Sequence, residues 1–226
     1  MGNMFIRRAG TNPALAPVMT GSHVDSQPLG GNYDGIYGVL AGLELLRTLN
    51  DNNVQTERDI VLVNWTNEEG ARFAPAMLAS GVWAGQLSED FAYARMDSKR
   101  VTVREALETI GYRGEIPARA FPVHACYELH IEQGPILEDE SIDIGLVRAA
   151  MGQRWFTLAL EGFAAHAGTT PMHSRRDALT AFAELALKVE EIGYRHAPDG
   201  RATIGMAEIT PNSRNVVPSR VVCSVE

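Results

Sequence analysis

His23, Asp34, Glu68, Glu69 and His130 are the residues of this 226-residue chain whose types and order suit metal chemistry. Imidazole nitrogens and carboxylate oxygens are donors that zinc accepts, and a catalytic site leaves one position open for water. Asp25, two residues after His23, can accept the second ring N–H of that histidine and fix its orientation, or simply stabilise its loop. A carboxylate shared by two ions would hold them about 3.5 to 4 Å apart. Each residue alone is ordinary: His-x-Asp pairs close many loops, adjacent glutamates are often solvated, and a strand histidine often has a structural partner. Their joint order argues for a shared cation, because charges gathered beside apolar strands are costly unless something neutralises them.

The flanking segments must bring these residues to one place. Val18-Met19-Thr20 predicts a buried strand that runs into Gly21-Ser22-His23. Gly30-Gly31-Asn32-Tyr33-Asp34-Gly35 predicts a turn-rich loop leading into a helix. On that helix Ile36, Val39, Leu40, Leu43, Leu46 and Leu49 recur at helical spacing, and Asn50-Asp51-Asn52-Asn53 ends it. Ile60 to Trp65 predicts a second buried strand, with Glu68 and Glu69 just past its end. Tyr127 to Glu132 predicts a third, on which His130 and Glu132 share a face because strand side chains alternate. Strand–helix–strand order predicts a parallel α/β unit, whose ligands bind beyond the carboxyl ends of its strands.

Phe73 to Gly81 predicts a short helix, Thr102-Val103-Arg104-Glu105 a capping box, and Ile142 to Val147 a continuation of the sheet. Near Ala149 to Gly152 the pattern changes. Trp155 to Gly162 predicts a strand, and Ser174-Arg175-Arg176-Asp177 the cap of a helix running through Ile192. Ala202 to Ile209 and Val216 to Val225 predict two more strands. The expected fold is therefore α/β: a mostly parallel sheet flanked by helices over residues 1–150, with a second small α+β domain over 151–226.

Composition narrows the class further. Hydrophobic residues make up 45% and charged residues 21%, which suits a globular chain and excludes disordered, collagen-like and coiled-coil proteins. No apolar run reaches the ~18 to 20 residues of a membrane span, and Met1 to Arg8 lacks the apolar stretch of a signal peptide. The net charge of −8 argues against nucleic acid as a partner. Cys126 and Cys223 give no disulfide framework, so the expected compartment is a reducing cytoplasm.

Six segments in order carry a family resemblance. They are Gly21-Ser22-His23-Val24-Asp25-Ser26, Gly31-Asn32-Tyr33-Asp34-Gly35, Asn67-Glu68-Glu69-Gly70, Glu128-Leu129-His130-Ile131-Glu132-Gln133-Gly134, Ala165-His166-Ala167-Gly168-Thr169-Thr170-Pro171-Met172 and Asn215-Val216-Val217-Pro218. Together they resemble the M20-type metal-dependent amidohydrolases, in the branch of N-carbamoyl-L-amino acid hydrolases, β-ureidopropionases and allantoate amidohydrolases. The histidine within Glu128 to Gly134 resembles the carbamoylase side, since related peptidases and aminoacylases generally carry an acidic ligand there.

The resemblance implies two divalent ions, zinc or manganese. His23, Asp34 and His130 match the ligands of one, and Asp34 bridges to a second that Glu69 holds. Glu68 matches the general base, and Gln133, His166 and Asn215 match positions that contact substrate. His166 matches the lid histidine that polarises the substrate carbonyl. It further implies a catalytic domain with an inserted lid that also forms a homodimer. The expected reaction is hydrolysis of a ureido C–N bond in a small molecule, with release of ammonia.

One expected metal-binding histidine is missing, because His124, His173 and His196 lie outside the matching motif. The substrate-carboxylate arginine would fall past Glu226, so the expectation is a fragment lacking pieces at both ends. Such a chain should bind one ion much better than a second and turn over weakly or not at all. Two alternatives stand beside this reading: an aminoacylase or peptidase of the wider family, and a non-catalytic binding protein that keeps the fold.

Overall fold

Ile60, Val61, Leu62 and Val63 alternate between two apolar layers, and this alternation organises the first half of the molecule. The computed structural model describes residues 1–226, which divide into two compact units, Met1–Gly145 and Leu146–Glu226. The division falls at Gly145, where the sequence alone placed it near residue 150.

The first unit contains β1 (Met4–Arg8), β2 (Val18–His23), α1 (Ile36–Asp51), β3 (Ile60–Trp65), α2 (Leu78–Trp83), α3 (Glu89–Tyr93), α4 (Val103–Thr109), β4 (Ala125–Tyr127) and α5 (Ile136–Asp139). Its sheet has the order β1-β3-β2-β4, with β2 parallel to both β3 and β4 and β1 antiparallel to β3. The register pairs His23 with Trp65 but Thr20 with Tyr127. Thus β2 and β3 end side by side, while β4 leaves the sheet sooner.

Val61, Val63 and Met19 pack against Trp65, Trp83, Phe121 and Val123 on one face. Ile60 and Leu62 pack against Leu46 and Leu49 of α1 on the other. The buried residues of α1 are Gly38, Gly42 and Leu46, whereas Leu40 and Leu43 of the predicted apolar stripe are exposed. The glycines allow close approach: a Cβ on Gly42 would stand 2.6 Å from Leu62 Cδ1, and one on Gly38 2.4 Å from the Leu129 carbonyl oxygen. A separate core joins α2, α3 and α4 through Leu78, Val82, Tyr93, Val103 and Leu107. The capping box at Thr102 is present, with both reciprocal bonds to Glu105 formed.

Several expectations are corrected. Tyr127 to Glu132 is not a strand throughout, because pairing ends at Tyr127 and His130 sits in irregular backbone. Glu132 instead caps α5, accepting the backbone N–H of Ile136 at 3.1 Å and of Leu137 at 2.8 Å. Ile142 to Val147 forms no strand: no neighbour pairs with it, and Ile144 and Val147 are exposed. The helix expected from Phe73 begins at Leu78, since Pro75 has no N–H and Met77 adopts φ +53°. The unexpected strand β1 carries its basic residues at the sheet edge. Arg7 pairs with the buried Asp59, and Arg8 donates to Asn50 Oδ1 at 2.7 Å.

The second unit comprises β5 (Phe156–Glu161), β6 (Ala165–His166), α6 (Ala178–Arg195), β7 (Ala207–Thr210), β8 (Val216–Val217) and β9 (Arg220–Val225). An antiparallel sheet runs β5-β9-β7, and β6 pairs with β8. Asp177 caps α6 by accepting from the N–H groups of Leu179 and Thr180. Two strands are shorter than expected: the one from Ala202 begins at Ala207, and Pro218, which lacks a donor, separates β8 from β9. No helix is long and apolar enough to cross a membrane.

Candidate metal centre

His23 is the last residue of β2 and is only 2% exposed. Its Nδ1 lies 2.7 Å from the backbone oxygen of Asp25, a partner that can only accept, so the ring proton sits on Nδ1. The Nε2 lone pair then faces Asp34 Oδ1 at 3.6 Å and Glu68 Oε2 at 3.5 Å. His130 repeats the device: Nδ1 lies 2.8 Å from the Ile131 oxygen, and Nε2 lies 3.1 Å from the same Asp34 Oδ1. Two imidazoles, each oriented by a backbone carbonyl, therefore direct their Nε2 atoms at one buried carboxylate. This is the usual preparation of a histidine for a metal ion.

Of the two roles the sequence left open for Asp25, its carboxylate, 4.0 Å from His23 Nδ1, takes the loop-stabilising one. Its Oδ1 accepts the Glu68 N–H and its Oδ2 the Glu69 N–H, each at 3.1 Å, while only its main-chain oxygen reaches the ring. Asp25 thus ties the end of β2 to the turn after β3 and sets the positions of both glutamates. In that turn Asn67 has φ +55° and donates to the Phe73 oxygen at 2.8 Å.

The donor atoms of His23, Asp34 and His130 all lie within 4.8 Å of one another, as do those of His23, Glu68 and Glu69. Imidazoles and carboxylates gathered this closely suit zinc or manganese. No arginine or lysine pairs with Asp34, Glu68 or Glu69. The negative charge consequently has no fixed cationic partner in the protein. Burial pushes the Glu69 carboxyl up to about 7, and a hydrogen bond and charge from Asp34 add to the effect. Burial also raises Glu68; His23 offsets this in part, and Asp25, Glu128 and Asp34 reinforce it.

These shifts predict a pH response. A carboxyl with a raised folded pKa binds more protons folded than unfolded, so metal-free stability falls as pH rises from about 4.5 through about 7. A divalent ion replaces the proton, so zinc affinity rises over the same interval. Calorimetric zinc titrations at pH 6 and pH 8 in two buffers should show tighter binding, and less proton release per ion, at pH 8.

Gln133, expected at the site, donates to Asp34 Oδ2. His166 and Asn215 belong to the second unit, where the Ala167 N–H donates to the Asn215 oxygen at 2.9 Å. The His166 Nδ1 accepts from the Gly168 N–H at 3.0 Å, which leaves the ring proton on Nε2. Two participants were not anticipated. Ser22, fully buried, donates to Glu128 Oε1 at 2.5 Å and links β2 to the segment carrying His130. Gln27 lies beside Asp34 and Glu69, and its position two residues after Asp25 was the only available signal.

Gly35 supports the His23 ring. It has φ +66°, and a Cβ there would stand 2.4 Å from His23 Cε1. Gly35→Ala should cost about 1–3 kcal/mol of metal-free stability and weaken zinc binding by displacing the imidazole. Thermal unfolding and zinc titration check both effects.

A sheet with imidazoles and carboxylates gathered beyond its strand ends is a frame that can hold a divalent ion. Residues 19–215 match Peptidase family M20/M25/M40, and the chain belongs to that family. It is 47% identical over 226 residues to an N-carbamoyl-L-amino-acid amidohydrolase of Rhizobium meliloti, covering 100% of this chain and 54% of that protein. It is 37% identical to an allantoate amidohydrolase of Bacillus subtilis, covering 100% of this chain and 55% of that protein. The crystal structure of an amidase of the hydantoinase/carbamoylase family from Burkholderia vietnamiensis superposes with a TM-score of 0.97 at 54% identity. That match covers 99% of this chain and 54% of the other. The chain spans about half the length of the curated relatives it matches.

Proposed function

We propose that this chain carries the metal-binding and proton-transfer residues of a di-metal amidohydrolase acting on the ureido C–N bond of an N-carbamoyl-L-amino acid or a related ureido acid. The observation that carries the reading is the meeting of His23, Asp34, Glu68, Glu69 and His130 beyond the ends of β2 and β3. The names of the relatives support the choice of bond. In this reading His23, Asp34 and His130 would hold one ion, and Asp34 and Glu69 would hold a second more weakly. The bound ions, zinc or manganese, supply Lewis acidity and lower the pKa of water.

Glu68 is the general base. Its Oε2 takes a proton from the attacking water and returns it to the departing nitrogen. The burial that raises its pKa makes it a stronger base than a solvated carboxylate. His166 has its Nε2 proton free to donate to the substrate carbonyl oxygen, where negative charge develops. Gln133 and Asn215 orient the substrate by hydrogen bonds. For an N-carbamoyl amino acid, the products are ammonia, carbon dioxide and the free amino acid. The second unit, Leu146–Glu226, serves as part of a lid and homodimer contact.

The test is ammonia release by the whole protein, loaded with zinc or manganese, from N-carbamoyl amino acids, N-carbamoyl-β-alanine and allantoate. Release from one of them, its loss with a chelator and its recovery on readdition of the ion are the expected results. Cleavage of N-acyl but not N-carbamoyl substrates would instead favour an aminoacylase or peptidase. Tight substrate binding with zero turnover would favour a non-catalytic binding protein.

A further inference from the structure

Asp34 divides its two oxygens between different partners. Oδ1 faces the imidazoles, His130 Nε2 at 3.1 Å and His23 Nε2 at 3.6 Å. Oδ2 faces side-chain amides, those of Gln133 and Gln27. With the Gln27 amide turned so that its donors meet acceptors, its nitrogen lies 3.0 Å from Asp34 Oδ2 and 2.8 Å from Glu69 Oε1. The reverse orientation would set an amide oxygen against two carboxylates. One NH2 group therefore spans the same two oxygens that the second ion requires in the reading above.

The backbone is shaped to hold Gln27 there. Gly31 has φ +68°, and a Cβ on it would stand 2.6 Å from the terminal amide atom of Gln27 that faces the acids. A Cβ on Gly30 would stand 3.4 Å from Gln27 Cγ, and the Gly30 N–H donates to the Gln27 main-chain oxygen at 3.3 Å. The loop thus turns around the glutamine side chain and confines it beside the acids. An amide donates two N–H groups but carries no charge. It can satisfy lone pairs of Asp34 and Glu69 and hold the two carboxylates together, yet it cannot neutralise them.

The geometry points to Gln27 as a displaceable amide clamp, which occupies the Asp34–Glu69 position in the metal-free protein and makes that position the weaker of the two for a divalent ion. The first ion uses His23, His130 and Asp34 Oδ1, none of which Gln27 touches. A second ion held through Asp34 Oδ2 and Glu69 Oε1 would have to displace the Gln27 amide from both oxygens and the Gln133 amide from Asp34 Oδ2; of the two amides, Gln27 alone blocks Glu69 as well. The clamp therefore sets the order of loading, and it rests on the two-ion reading proposed above.

The experiment is calorimetric titration of the metal-free chain with Zn²⁺ at pH 8, comparing wild type with Gln27→Ala and Gln27→Glu. Gln27→Ala should tighten the weaker binding step about tenfold, the order expected for losing a competing amide–carboxylate hydrogen bond. The tighter step should move less than twofold. Gln27→Glu removes the donors while keeping the length of the side chain, so it too should tighten the weaker step. In wild-type protein labelled with ¹⁵N, the Gln27 side-chain amide resonance should move with the second equivalent of Zn²⁺ and not the first. Weakening of the second step in Gln27→Ala would identify Gln27 as a ligand and overturn the clamp. Equal effects on both steps, no change in either, or a second step absent from all three proteins would also overturn it. Failure of even the first Zn²⁺ to bind would overturn the metal-centre reading itself, which separates the two outcomes.

Discussion

Asp34→Asn is expected to reduce Zn²⁺ affinity by roughly a hundredfold or more, exceeding the 10–100-fold typical of a residue that only supports a ligand. Asp34 is 2% exposed, and one of its oxygens faces both His23 and His130. Asparagine fills nearly the same space but has no charge and offers one acceptor oxygen instead of two. The substitution should nevertheless leave the metal-free fold intact. Removing a carboxylate from the group it forms with Glu68 and Glu69 relieves repulsion, so metal-free stability at pH 8 should rise slightly. Titration with Zn²⁺ and thermal unfolding on the same samples check this. Retained affinity with lost stability would assign Asp34 a purely structural role.

Glu68→Gln has the second large effect and separates proton transfer from metal binding. An amide cannot accept the water proton, so kcat of the whole metal-loaded protein should fall by about 10²–10⁴-fold, the contribution of a positioned general base. KM should change little, because the amide keeps the shape of the side chain. Glu68 Oε2 is also 3.5 Å from His23 Nε2 and belongs to the group formed by His23, Glu68 and Glu69. Metal content distinguishes the two roles. A variant that retains its ions but loses turnover supports the base, whereas a parallel loss of ions makes Glu68 a ligand.

The site was legible in the sequence to an unequal degree. His23, Glu68 and Glu69 could be placed because the runs Val18-Met19-Thr20 and Ile60 to Trp65 mark buried strands locally, and a parallel pair brings their carboxyl ends together. Asp34 followed from a glycine-rich loop opening a periodic helix. His130 was assigned to a strand that ends at Tyr127, because the alternation in Tyr127 to Glu132 continues although the chain leaves the side of β2 after Tyr127. On α1 the leucine periodicity identified the helix but not its buried stripe, which close approach to Leu62 and Leu129 assigns to Gly38 and Gly42.

The sequence by itself determined the elements that flank the site, β2, α1 and β3, the residue types able to bind a cation and the order in which they occur. Those properties depend on neighbours within a few positions: apolar spacing, a Gly-rich turn, a capping box. Tertiary structure alone decided which atoms face which. The Asp25 carboxylate turned to the Glu68 and Glu69 amides, Ser22 found Glu128, and Gln27 came to lie between Asp34 and Glu69. Apart from Gln27 and Asp34, which are close in the chain, these contacts join residues tens of positions apart or more. They are set by the register of β2 against β3 and β4, to which no local pattern in the chain gives access.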